Sequence, residues 1–175
     1  ELAMFQSVPA DGQYACQSDE DNFRLHRGSQ FITWSEGTLA SYLRDLQNAE
    51  QNGENLMTLK YARMDGLIPS LSGSPLIGKI AAVQKRWQEE MFQCYPKFMD
   101  RGRPLEQNED TPESTSFETY LRCELETYSG NTLEHLWKDV MEKEAQGENM
   151  SRESYEYLVR NMGYAGLDEV EASLP

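Results

Sequence analysis

The chain has 175 residues and carries 30 acidic against 16 basic side chains, a formal net charge of −14. A field of that sign repels nucleic acid and anionic membrane surfaces, so neither is expected as a partner. Mean hydropathy is −0.72, and no apolar run approaches the ~18 residues that a bilayer span needs.

Taken in chain order, the pattern is helical nearly throughout. The opening ELAMFQ matches the end of a longer helix further on, which predicts that the chain begins inside a helix that a longer N-terminus would extend. No signal peptide is visible. A first full helix is expected over 20–34, with Phe23, Arg27, Phe31 and Trp34 on one stripe. A second runs over 38–52, where Leu39, Tyr42, Leu43, Leu46 and Ala49 recur at helical spacing. Gly53 stops it, and Asn55 starts a short helix reaching Met64. Residues 66–74 form a linker. Ser74-Pro75 opens a long helix through Leu76, Ile80, Val83, Trp87 and Met91, which Pro96 ends or bends. Residues 99–110 form the longest loop. Thr111-Pro112-Glu113 is expected to open the next helix, which carries Phe117, Tyr120, Leu121, Leu125 and Tyr128. Asn131 and Glu134 resemble a capping box for the following one, which Gly147 stops. Ser151 then starts a last short helix reaching about Met162.

The chain repeats itself. Residues 23–64 align without a gap to residues 117–158, with about 11 of roughly 42 positions identical, several times what composition alone produces. The pairs include Ser35/Ser129, Thr38/Thr132, Asp45/Asp139, Gly53/Gly147, Asn55/Asn149 and Tyr61/Tyr155. An internal repeat constrains architecture before any motif does. The expected fold is all-α, with two tandem repeats of three to four helices packed as one pseudo-two-fold bundle. Residues 1–175 would form a single domain, because half the chain is marginal as a lone core. Repeat one spans about 1–66, the linker about 67–74 and repeat two about 75–175.

Two polar anomalies mark a candidate site. Glu124 falls on the apolar stripe beside Tyr120, Leu121 and Tyr128, and the aligned position in the first copy is Gln30. A buried carboxylate needs a partner or stays protonated. Either Gln30 and Glu124 form a structural network, or Glu124 serves a pocket as acceptor or general base, its pKa raised if no cation is near. Tyr120 or Tyr128 would present a hydroxyl to such a pocket, while Trp34, which pairs with Tyr128 in the alignment, reads first as core. The second anomaly is basic. Arg24, His26 and Arg27 cluster in an acidic chain, and Arg101 and Arg103 sit together in the loop RGRPLE. Together they would grip an anion, since the guanidinium fork matches a carboxylate. The competing reading pairs Arg101 and Arg103 with Glu106, Glu109 and Asp110. Arg122, flanked by Glu118 and Glu126, reads as an exposed ladder.

Other chemistries lack their motifs. His26 and His135 show no zinc spacing, phosphate-cradling glycine loops are absent, and Cys16 sits among acids that disfavour a thiolate. No metal and no cofactor are therefore expected. The three cysteines, Cys16, Cys94 and Cys123, cannot all pair, which predicts a reduced, cytoplasmic setting.

The stretches ACQSDEDNFRLHRGSQFITW (15–34), NLMTLKYARM (55–64) and RGRPLEQNEDTPESTSFETYLRCELETYS (101–129) resemble the domain-of-unknown-function family 4125. The likeness covers most of the chain and implies a small intracellular protein with no assigned role and no catalytic residue to carry over. A hydrophobic residue often sits in that family where this chain has His26.

The leading expectation is a helical protein that binds a small anionic or polar metabolite in a polar pocket between the repeats. Arg27, Gln30, Trp34, His26, Arg101 and Arg103 would hold the ligand. Glu124, Tyr128 and Tyr120 would supply cofactor-independent acid–base chemistry of isomerase, cyclase or lyase type. The alternatives are a protein-interaction or scaffold module using the acidic surface, and a purely structural repeat protein. A homo-oligomer is compatible with any of these.

Overall fold

The computed structural model describes residues 1–9 and 19–175, and the description below is of these. Cys16 lies outside them. The described residues form ten α-helices and no strands: α1 (Leu2–Gln6), α2 (Glu20–Phe31), α3 (Glu36–Gln51), α4 (Leu56–Met64), α5 (Pro75–Cys94), α6 (Pro96–Met99), α7 (Phe117–Leu125), α8 (Gly130–Gln146), α9 (Met150–Asn161) and α10 (Leu167–Ser173). A single 3₁₀ turn occupies Gln107–Glu109. No helix among them is long and apolar enough to cross a membrane.

Matched residues begin matched helices. Ser35 and Ser129 accept from the backbone N–H of Thr38 and Thr132, and so cap α3 and α8. Asn55 and Asn149 do the same for α4 and α9. Each cap contributes ~1 kcal/mol by satisfying an amide with no partner inside the helix. Two expected starts move as a result. Helix α8 begins at Gly130 behind Ser129 rather than at an Asn131 cap, and α9 begins at Met150 behind Asn149 rather than at Ser151.

A third start is corrected further. Thr111-Pro112-Glu113 makes a turn, in which the Thr111 hydroxyl accepts from the amides of Glu113 and Ser114. Asp110 takes the Ser116 amide and the Thr119 hydroxyl, so Ser116 becomes the cap and α7 starts at Phe117. Pro96 ends α5 and opens the short α6.

Packing places α3 on α8, α2 on α9 and α4 on α7, so aligned helices meet reciprocally across the two copies. The hydrogen bonds are reciprocal as well. Thr38 donates to Asp139 at 2.6 Å and Thr132 to Asp45 at 2.6 Å. The Ser35 amide donates to Asp139 at 2.9 Å, and the Ser129 amide to Asp45 at 3.0 Å.

Helix α5 lies against α7, α8 and α9 and serves two apolar clusters. One gathers Ile80, Trp87, Leu125, Leu133, Leu136 and Val140, and the other Met91, Tyr95, Val159 and Leu167. Full burial of such a side chain contributes ~1.5–3 kcal/mol. Trp34 belongs to the larger cluster, packed edge-on against Tyr42 and Tyr128.

Candidate functional site

The helical turn sets the site. Arg27 and Gln30 lie one turn apart on α2, and Tyr120 and Glu124 lie one turn apart on α7, with Tyr128 just beyond. Arg27 joins the two helices: its guanidinium donates to Gln30 Oε1 at 2.5 Å and pairs with Glu124 Oε1 at 2.9 Å. It also forks onto Glu1 through Nε at 3.0 Å and Nη2 at 2.6 Å. Lys60 of α4 reaches Glu124 Oε2 at 3.3 Å and donates to the Tyr120 hydroxyl at 2.8 Å. The Tyr128 hydroxyl donates to Glu124 Oε1 at 2.6 Å, and Tyr42 donates to Glu1.

This cluster is buried. Arg27, Lys60 and Glu124 are 8%, 2% and 4% exposed, a burial that ionised groups tolerate only when paired. Two carboxylates, Glu1 and Glu124, balance two cations. Burial by itself would raise the Glu124 carboxyl, but Arg27 and Lys60, helped by the Tyr128 hydroxyl, outweigh it and hold it well below the usual carboxylate range. Burial would likewise lower Lys60, and Glu124 overrides it and holds the ammonium above its ordinary value. Burial and the neighbouring Glu124 carboxylate push the Tyr128 phenol up. The condition that would have raised Glu124, a site without cations, does not hold.

Beside this cluster lies a cavity of about 290 Å³ among α2, α5, α7, α9 and the loop after α6. Arg27, Gln30, Glu124, Tyr120, His26 and Arg103 all line it, with Trp34, Phe117, Leu121 and Met150 as the apolar wall. Arg103 donates to the Thr115 carbonyl at 2.9 Å and lies over the Tyr120 ring. Among the described residues it has no carboxylate at ion-pair distance, so the expected pairing with Glu106, Glu109 or Asp110 is not made. Glu106 pairs with Lys85 instead. His26 borders this cavity and a second, smaller one lined by Phe5, Phe23, Met57, Lys60 and Tyr61, and burial lowers its pKa.

Four expected placements differ. Tyr128 stands behind Glu124 and does not line the cavity. Arg101 is exposed in the turn that closes α6, where its amide bonds the Phe98 carbonyl, and it takes no part in the cluster. Arg24 is exposed beside Glu20. Arg122 pairs with Glu118, whereas Glu126 bonds Arg63 and the Leu71 amide rather than completing a ladder. Several lining residues were not anticipated: Ser29, Gln84, Gln88, Ser151, Ser154 and Tyr155.

Among the described residues, no group of three or more His, Cys, Asp or Glu side chains is placed to hold a metal ion. Comparison with known proteins adds a family. A family model described as a protein of unknown function, DUF4125, matches residues 1–172. The chain belongs to that family. No curated protein and no solved structure matches it. The DUF4125 model covers the Arg27–Glu124 cluster and every cavity residue named above.

Proposed function

We propose that this DUF4125 protein binds a small anionic metabolite in the cavity beside the Arg27–Glu124 cluster. The observation that carries this reading is Arg103. The four buried charges of the cluster cancel, while Arg103 faces the same cavity without a carboxylate partner among the described residues. A cation on a partly apolar concave wall suits a carboxylate, which a guanidinium grips with two bonds. The reciprocal contacts of α3 with α8, and of α2 and α4 with α9 and α7, support reading the two copies as a pseudo-two-fold pair with the pocket at their junction. The free thiols of Cys94 and Cys123 support a reducing, cytoplasmic setting.

Acid–base chemistry, if the ligand is turned over, falls to a different residue from Glu124. A carboxylate held ionised by two cations is a poor proton acceptor at neutral pH. Its role is to fix Arg27 and Lys60. His26 borders the cavity with its imidazole kept neutral by partial burial, which suits a general base.

Titration calorimetry with small mono- and dicarboxylates tests the reading. At least one is expected to bind, and Arg103→Gln is expected to weaken it by roughly 10- to 100-fold, the worth of one charge-assisted contact. Absence of binding across the series, or unchanged affinity in Arg103→Gln, would refute it.

A further inference from the structure

The cavity's remaining polar lining says more about the ligand than its charge. Helix α9 contributes Ser151, Ser154 and Tyr155, α5 contributes Gln84 and Gln88, and α2 contributes Ser29 and Gln30. These are neutral groups, and many are joined. Ser29 donates to the His26 carbonyl at 2.7 Å and accepts from Ser154 at 3.1 Å. Gln88 donates to Ser151 at 3.1 Å and accepts from Tyr155 at 3.1 Å.

Counting donors and acceptors leaves a specific remainder. The Ser151 hydroxyl accepts from Gln88 and keeps its own proton to give. The Ser154 oxygen donates to Ser29 and keeps its lone pairs. Gln30 accepts from Arg27 through its oxygen and keeps its –NH₂. Tyr120 accepts from Lys60 and keeps its proton. The Gln84 amide has no side-chain partner among the described residues and offers both a donor and an acceptor. Free donors and free acceptors are thus interleaved on four helices around one small space.

A ligand's hydroxyl groups fit such a lining, because each gives one hydrogen bond and accepts others. A plain alkyl chain would leave these groups desolvated and unpaired, which a site of this kind penalises. We infer that the ligand is a hydroxylated carboxylic acid of sugar-acid type, its carboxylate on Arg103 and its hydroxyls on Ser151, Ser154, Gln84 and Gln30. This rests on the anion-binding reading above and specifies its ligand class.

The test compares matched pairs by calorimetry on the full chain: glycerate against propionate, and gluconate against hexanoate. At least one hydroxylated acid is expected to bind roughly tenfold or more tightly than its alkyl counterpart, as a net gain of one or more hydrogen bonds allows. Ser154→Ala is expected to narrow that ratio, and Ser154→Thr, which keeps the oxygen, to restore it. Thermal melting of both variants checks that they fold. Equal affinity within both pairs overturns the hydroxyl assignment and leaves the anion-binding reading standing. Binding by neither series overturns both.

Discussion

The two copies of the repeat share their helix caps, their glycine stops and their reciprocal Thr–Asp bonds, yet the space beside one is about half that beside the other. In α4, Met57, Lys60 and Tyr61 border a cavity of about 150 Å³; in α9, the aligned Ser151, Ser154 and Tyr155 border one of about 290 Å³. Both spaces share His26, Arg27 and Tyr120 as wall. Met57 and Lys60 narrow one junction, and the shorter Ser151 and Ser154 widen the other. One aligned pair differs in charge: Lys60 meets Glu124, whereas the residues aligned with them are Ser154 and Gln30. On the reading proposed above, the aligned positions hold an ion pair in one copy and face the ligand in the other.

The strongest way to break this contrast is to make the two helix positions alike. Glu124→Gln gives both copies a glutamine and leaves Arg27 and Lys60 buried with Glu1 as their one carboxylate. Removing one member of a buried ion cluster is expected to cost ~3–5 kcal/mol, read from urea denaturation. The pH dependence checks the cause. The folded Glu124 carboxyl lies below its ordinary value of 4.5, so its stabilisation is complete above that value and is lost as pH falls through it toward the folded value. The parent protein should therefore lose stability between roughly pH 5 and pH 2 more steeply than Glu124→Gln, and the two curves should converge in acid. Parallel curves would mean that Glu124 is not the group responsible.

The converse change fills the wider space with a residue that the fold already uses. Ser151→Met puts into α9 what Met57 is in α4. It removes the hydroxyl that Gln88 bonds, at a cost of ~1 kcal/mol, and occupies the cavity. Affinity for a cavity-bound acid is expected to fall at least roughly 100-fold, the scale of a steric block worth ~2.7 kcal/mol, while cooperative melting is kept. Retained affinity would place the ligand elsewhere.

The sequence made part of this legible for a physical reason. Glu124 and Gln30 stand on apolar stripes whose period is fixed by the helix, so their inward direction follows from spacing. Arg27 shares that stripe and was found the same way. Lys60 was not found, although Leu56, Met57, Lys60 and Met64 share one face of α4; a lone lysine in a short polar-flanked helix reads as solvated, and its carboxylate partner is 64 residues away. Ser151, Ser154 and Gln88 were missed because small and neutral polar residues carry no periodic signal; the aligned Met57 and Lys60 were the available clue. Arg101 and Arg103 are indistinguishable in the sequence because two arginines in one loop look alike until a turn directs them apart. The Thr111 start failed because Pro112 fits a turn as well as it fits a helix's first residue, and Asp110 decided between them.

The smallest expected effect tests whether the copies are equivalent where they are meant to be. Gly53 and Gly147 adopt φ values of 70° and 69°, in the left-handed region that favours glycine. The bond that closes each end also matches: the Glu54 amide reaches the Ala49 carbonyl at 2.8 Å, and the Glu148 amide reaches the Lys143 carbonyl at 2.9 Å. A Cβ added at either glycine meets no atom within 4 Å, so an alanine there strains the backbone and nothing else. Gly53→Ala and Gly147→Ala should each cost about 1 kcal/mol, agree within ~0.5 kcal/mol, and add in the double variant as separated sites do. Unequal costs would show that one helix end carries a constraint beyond its own backbone. In that case the asymmetry between the copies would extend past the cavity into the frame that holds it.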